Sequence, residues 1–233
     1  MTSEQVPVRS FIAGTDWPLD NSPKLEWIAE LEARRGQSFA QALYLKEKIT
    51  IETGNPLPHV ISIGAGELEP LEYGLAGFKV TAYEQEKVRA EEATKLVERA
   101  GISDKVALLN EAFDKNSLPG IRNGCQLIVL DRVMQFYKSP EALDLLSEIK
   151  QNIPSGCRIK AKIYLKDSEL FSRPDNAYFS DESWAPSYDQ VLGLFPDDTW
   201  EIESNSGIQT NPSPFESRAG LLNYSVVLVV KKK

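Results

Sequence analysis

Apolar positions recur along this chain in two rhythms, and the rhythm changes twice. From Ser22 to Thr50 the spacing is helical. Ser22-Pro23 reads as a cap followed by a first-turn proline, and Gly36 reads as a stop. Ser38 and Gln41 then have capping-box spacing ahead of a second helix with Phe39, Ala42 and Leu43 on one face. Gly54-Asn55-Pro56 closes the section, so residues 1–55 are predicted as an N-terminal helical cap on a domain spanning 56–233.

Between Val60 and Lys166 short apolar runs alternate with amphipathic segments. The runs are Val60–Ile63, Val80–Tyr83, Val106–Leu109, Leu127–Leu130 and Ile159–Leu165. Between them, Glu86–Ala100 sets Ala93, Leu96, Val97 and Ala100 on one stripe, and Ser139–Asn152 does the same with Ala142, Leu145, Leu146 and Ile149. Strands alternating with helices predict βαβ units and a parallel sheet. The link from Asp114 to Gly124 is too rich in Gly, Pro and Asn to predict a helix. Beyond Lys166 the alternation stops. Two closing strands, Trp200–Ser204 and Leu222–Val230, follow a stretch at 167–200 with eight acids, one base and seven aromatics.

Composition narrows the function. With 26 Lys plus Arg against 34 Asp plus Glu the net charge is −8, which disfavours a nucleic-acid backbone as partner. No apolar stretch is long enough to suggest a membrane span, and the first ten residues lack a secretory pattern, so a cytoplasmic location is expected. The single histidine, His59, argues against a multi-imidazole zinc site and a Ser-His-Asp triad; no metal is expected. Cys125 and Cys157 are expected as two buried thiols rather than a disulfide framework.

Chemistry enters at the first strand. It runs His-Val-Ile-Ser-Ile-Gly-Ala-Gly-Glu over 59–67, and a strand ending in Gly-x-Gly can turn sharply with no Cβ between peptide and ligand. The next helix is expected from about Glu67. The second strand ends at Glu84, twenty residues after Gly64, where a carboxylate can accept both hydroxyls of a ribose. Removing that carboxylate is expected to leave stability almost unchanged.

In these features the chain resembles the class I S-adenosylmethionine-dependent methyltransferases over roughly residues 40–230. Gly64-Ala65-Gly66 is similar to the family's first motif, and Glu84, with Gln85 beside it, to its ribose-binding acid. Glu111 and Ala112 fall where the family meets the adenine amino group, and Asp131-Arg132 closes a similar fourth strand. Ile153-Pro154-Ser155-Gly156 resembles the turn before strand five. Two departures stand out: Leu68 occupies a frequent third-glycine position, and Ser62 replaces the usual acid of the first strand.

The resemblance implies an α/β fold: a mostly parallel seven-stranded Rossmann-like sheet with helices on both faces, an N-terminal helical cap and a C-terminal antiparallel hairpin. It implies S-adenosylmethionine as cofactor and methyl transfer to a small molecule or peptide. The acidic, aromatic stretch at 167–200, with Trp184 and Tyr188, is expected as an acceptor lid suited to a cationic or amine group. Asp131, Tyr137, Tyr164 and Tyr188 are the candidates for proton handling. A non-catalytic module of the same fold and aminocarboxypropyl transfer from the same cofactor are the alternatives. A nicotinamide reductase fits less well, since Gly-x-Gly-x-x-Gly fails at Glu69 and Tyr-x-x-x-Lys occurs only at Tyr44 and Tyr83.

Overall fold

The computed structural model describes residues 22–114, 117–122, 124–171, 183–211 and 223–233. Eight strands form one mixed sheet: β1 (His59–Ile63), β2 (Lys79–Tyr83), β3 (Val106–Leu109), β4 (Leu127–Asp131), β5 (Arg158–Tyr164), β6 (Trp200–Asn205), β7 (Gln209–Asn211) and β8 (Asn223–Lys232). Seven of them lie on one path, in the order β3-β2-β1-β4-β5-β8-β6, and the short β7 pairs with β8 beside it. The first five strands pair in parallel, while β8 runs antiparallel to β5, β6 and β7. The sheet is thus the predicted seven strands plus one three-residue addition.

The helices are α1 (Ser22–Thr53), α2 (Glu69–Leu75), α3 (Lys87–Arg99), α4 (Leu118–Arg122), α5 (Ser139–Asn152) and α6 (Tyr188–Gly193). Three expectations need correction. Gly36 does not end a helix: α1 runs through it as one 32-residue element. A mid-helix glycine costs only about 1 kcal/mol relative to alanine. The buried face of Phe39, Leu45 and Ile49 outweighs that, at roughly 1.5–3 kcal/mol per buried side chain. The 114–124 link does contain a helix, α4, because Leu118 and Ile121 are buried against the sheet and α5. The helix after β1 begins at Glu69, two residues later than expected, with Leu68 as a cap that makes no side-chain bond.

The sheet separates two apolar cores. Ile61, Ile63, Ile128, Leu130, Ile159 and Ala161 face α4, α5 and α6. Val60, Val80, Ala82, Val129 and Val229 face α1, α2 and α3. The second face also holds charge. Arg158 at the start of β5 is 1% exposed, and its guanidinium donates to Glu52 of α1 at 2.8 Å and to Glu203 of β6 at 2.7 Å. Lys48 and Lys231 complete the network at 3.0 and 2.9 Å from Glu203 and Glu52. Two residues further along β5, Lys160 donates to Tyr73 Oη at 3.1 Å and to Ser38 Oγ at 3.4 Å. Alternating charge along β5 therefore marks a face covered by α1, not a solvent face. Among the described residues, no helix is long and apolar enough to cross a membrane.

Only part of the 167–200 stretch is described; Tyr178, Phe179, Asp181 and Glu182 lie outside the described residues. Trp184 is 5% exposed and belongs to the core beneath α5, and its backbone N–H donates to Tyr137 O at 3.0 Å. Phe195 and Trp200 pack edge-to-face at 5.3 Å in the same core. Residues Tyr188–Gly193 form α6, started by a capping box between Ser187 and Gln190.

Candidate functional site

The order β3-β2-β1-β4-β5 changes direction at β1, and the crevice between the ends of β1 and β4 is where open α/β sheets bind ligands. Gly64 and Ala65 leave β1 by donating both N–H groups to Tyr83 O, at 2.9 and 3.1 Å. This holds the turn against the end of β2. Gly64 has φ +67°, and a Cβ there would lie 2.5 Å from Val133 Cγ2, so the loop after β4 packs directly on this glycine. Gly66 has φ +60°, but the space its Cβ would take is open. One glycine is needed for packing. The other leaves room for a ligand.

Glu84 is 6% exposed and braces this turn. Its Oε2 accepts from Gly66 N at 2.9 Å and its Oε1 from Glu86 N at 2.8 Å. Each carboxylate oxygen keeps lone-pair capacity for a further donor, which suits a vicinal diol. The expectation that this acid is separable from stability is corrected: its carboxylate satisfies two backbone donors. Gln85 is exposed beside it. Asn110, which sequence reasoning passed over, steadies the same segment by donating to Glu84 O at 2.9 Å and Gln85 O at 3.3 Å. Its only signal was its place in the Asn-Glu-Ala run after β3.

Glu111 and Ala112 are exposed at the end of β3, beside the buried Phe113. Phe113 packs edge-on against Tyr83 with ring centroids 5.0 Å apart. Burial, then the charge of Glu111, pushes the Tyr83 phenol above its ordinary range. Glu84, Gln85, Glu111 and Ala112 thus share the β2–β3 side of the crevice.

Asp131 and Arg132 stand across the crevice at the end of β4. Arg132 has φ 57°, the one non-glycine with positive φ among the described residues. Such a residue persists only where its surroundings hold it, and it is commonest at functional sites. Its Nε donates to Asp131 Oδ1 at 2.9 Å. Burial alone would lower the guanidinium's affinity for its proton, but Asp131 and Tyr164 outweigh burial and keep it charged. Gln135 donates back to Arg132 O, closing the turn that brings Val133 under Gly64.

The remaining candidates are dispersed. Burial first, then Asp114, raises the Tyr137 phenol, so it holds its proton at neutral pH. Tyr188 Oη accepts from Asn205 Nδ2 at 2.7 Å, at the end of β6. Strands β5 and β8 lie between β6 and β4, which separates Tyr188 from Asp131 by about three strand spacings, ~14 Å. Ser62, in place of a strand acid, donates to Glu69 Oε1, and both are buried. A carboxylate is therefore present under the turn, supplied by α2. It was seven residues downstream of where sequence reasoning looked.

No protein-family profile matches the chain, and no curated protein is similar enough in sequence to match. Solved structures do. TehB from Haemophilus influenzae superposes with a TM-score of 0.60 at 14% identity, covering 81% of this chain and 61% of that one. The magnesium protoporphyrin IX methyltransferase ChlM from Synechocystis PCC 6803, solved with bound SAH, gives 0.57 at 14% identity over 83% of each chain. The fold is that of the class I S-adenosylmethionine-dependent methyltransferases. The [4+2]-cyclase SpnF shares it, at a TM-score of 0.56 and 14% identity over 82% of this chain and 81% of that one. Activity therefore has to be argued from the site and not from the fold.

Proposed function

We propose that the protein transfers a methyl group from S-adenosylmethionine to a small-molecule or peptide acceptor. The observation that carries this reading is the pairing of Glu84 with the open side of Gly66 at the switch point of the sheet. A buried carboxylate with spare acceptor capacity, next to a glycine with room beside it, suits the ribose and thioether end of that cofactor. Gly64, Ala65 and Gly66 bear the cofactor's methionine end, Glu84 and Gln85 its ribose, and Glu111 and Ala112 its adenine. Asp131 and Arg132 close the opposite wall.

When bound, the cofactor supplies a methyl group already activated on a sulfonium. The chain's task is then alignment and exclusion of water, and orientation can account for ~7–11 kcal/mol of a barrier. Among the described residues no strong base stands ready. Asp131 is neutralised by Arg132, and Tyr137 keeps its proton, so its role is to donate a hydrogen bond. This arrangement suits an acceptor that is nucleophilic without enzymatic deprotonation, such as an amine that sheds its proton on leaving water. Tyr188 and the 183–200 segment flank the β5–β6 side of the same edge and fit a role in acceptor choice.

Parallel calorimetric titrations with S-adenosylmethionine, S-adenosylhomocysteine and NADH test the reading. Micromolar binding of the first two and none of the third is the expected result. Binding of NADH alone would replace the transferase with a reductase, and binding of none would leave a module of the same fold without this cofactor.

A further inference from the structure

The opposite edge of the sheet carries reactive groups that methyl transfer does not use. Cys125 and Cys157 stand at the foot of adjacent parallel strands, one just before β4 and the other just before β5. Each follows a glycine in a left-handed turn, Gly124 with φ 93° and Gly156 with φ 83°. The two equivalent turns deliver the thiols to the same point. Their sulfurs are 3.7 Å apart, and the residues are 1% and 2% exposed. Both line a cavity of about 630 Å³ that also meets Thr53, Gln126, Ser155 and Lys231.

We propose that Cys125 and Cys157 form a conditional redox site, a dithiol that a hydroperoxide entering this cavity converts into an intramolecular disulfide. The separation is too long for a bond of ~2.05 Å and short enough to close by side-chain rotation in two turns. The hydrogen bond with Cys125, together with burial, holds the proton on Cys157 and pushes its thiol well up. With the sulfurs 3.7 Å apart, whichever thiol reacts first has the other beside it to resolve the product.

The chemistry balances without a metal. One thiol gives its proton to water, and its sulfur attacks one peroxide oxygen. The O–O bond breaks, an alcohol or water leaves with a proton, and a sulfenic acid forms on that cysteine. The second thiol then attacks that sulfur, the S–S bond forms, and the S–O bond breaks. The hydroxide leaves as water with the second thiol's proton. Two thiols lose two hydrogens and two electrons, and the peroxide takes them. Buried thiols react slowly. The site is consequently reduced under ordinary conditions and staples the feet of β4 and β5 only under sustained oxidation.

The test is exposure of the native 233-residue chain to hydrogen peroxide, followed by intact-mass measurement and thiol titration in denaturant. The expected product has lost about 2 Da and both titratable thiols together, and regains them with dithiothreitol. Proteolysis should give one linked peptide pair containing Cys125 and Cys157. Cys125→Ala and Cys157→Ser should each yield no such product. Three outcomes overturn the proposal: both thiols survive excess peroxide, the chain gains oxygen on single cysteines, or the new disulfide joins two chains.

Discussion

Replacing Glu84 with glutamine keeps the shape of the side chain and removes half of what the carboxylate does. In the native protein its two oxygens accept from Gly66 N at 2.9 Å and Glu86 N at 2.8 Å. A carboxamide offers one oxygen and turns an NH₂ group toward the other donor, leaving one part-buried N–H unsatisfied. That costs about 1–3 kcal/mol. For a chain of this size each kcal/mol lowers Tm by roughly 2–4 °C, so a fall of about 2–12 °C is expected. Cofactor binding loses one charge-assisted hydrogen bond to a ribose hydroxyl, worth about 1.5–3 kcal/mol. With a tenfold change for each 1.4 kcal/mol, affinity for S-adenosylhomocysteine should fall by about 10- to 150-fold. Differential scanning fluorimetry reads the first effect and isothermal titration calorimetry the second. The two must move together. A variant that loses thermal stability but binds S-adenosylhomocysteine within about twofold of the parent shows that Glu84 only braces the turn, and the ribose assignment fails.

Two further substitutions separate packing from binding. Gly64→Ala sets a methyl 2.5 Å from Val133 Cγ2 and should strongly destabilise the fold, whereas Gly66→Ala meets open space and should cost only the ~1–2 kcal/mol of left-handed backbone. Gly66→Ala should nevertheless weaken S-adenosylhomocysteine binding well beyond its effect on Tm; equal affinity would mean that no ligand lies against this glycine. Arg158→Met leaves Glu203 buried with Lys48 as its remaining partner, and should cost about 3 kcal/mol at pH 7, or roughly 6–12 °C in Tm. Hydrogen bonds from Arg158 hold the Glu52 carboxyl down from 4.5 to about 2; at Glu203 burial works upward but Arg158 and Lys48 outweigh it. Both carboxyls are depressed by folding, so their stabilisation is complete above pH 4.5 and is lost as pH falls towards 2. The gap between parent and Arg158→Met in thermal melts should therefore narrow across that window, and a gap that stays constant from pH 7 to pH 3 would refute the network.

The sequence by itself determined the order of elements, the parallel core and the place of the cofactor turn. Those features rest on local rules. Buried parallel strands read as continuous apolar runs, a left-handed turn at a strand end demands glycine, and α5 could be bounded at Ser139 and Asn152 from a proline-marked start and an apolar stripe. Tertiary structure decided what those rules cannot express. Gly36 looked like a stop because its neighbours in sequence favour one, but the face of α1 beyond it is paid for by the sheet. Charges alternate along β5, and Arg158 and Lys160 are buried because partners 106, 45 and 87 residues away in sequence come to meet them. Trp184, one aromatic of the stretch expected as a lid, is buried in the core beneath α5, a placement that its local sequence does not reveal. Even Glu84, correctly placed by its spacing, acquired a second duty, because only the folded chain brings Gly66 N–H to its carboxylate. Hydrogen-bond partners distant in sequence leave no periodicity to read. They become visible when the sheet is assembled.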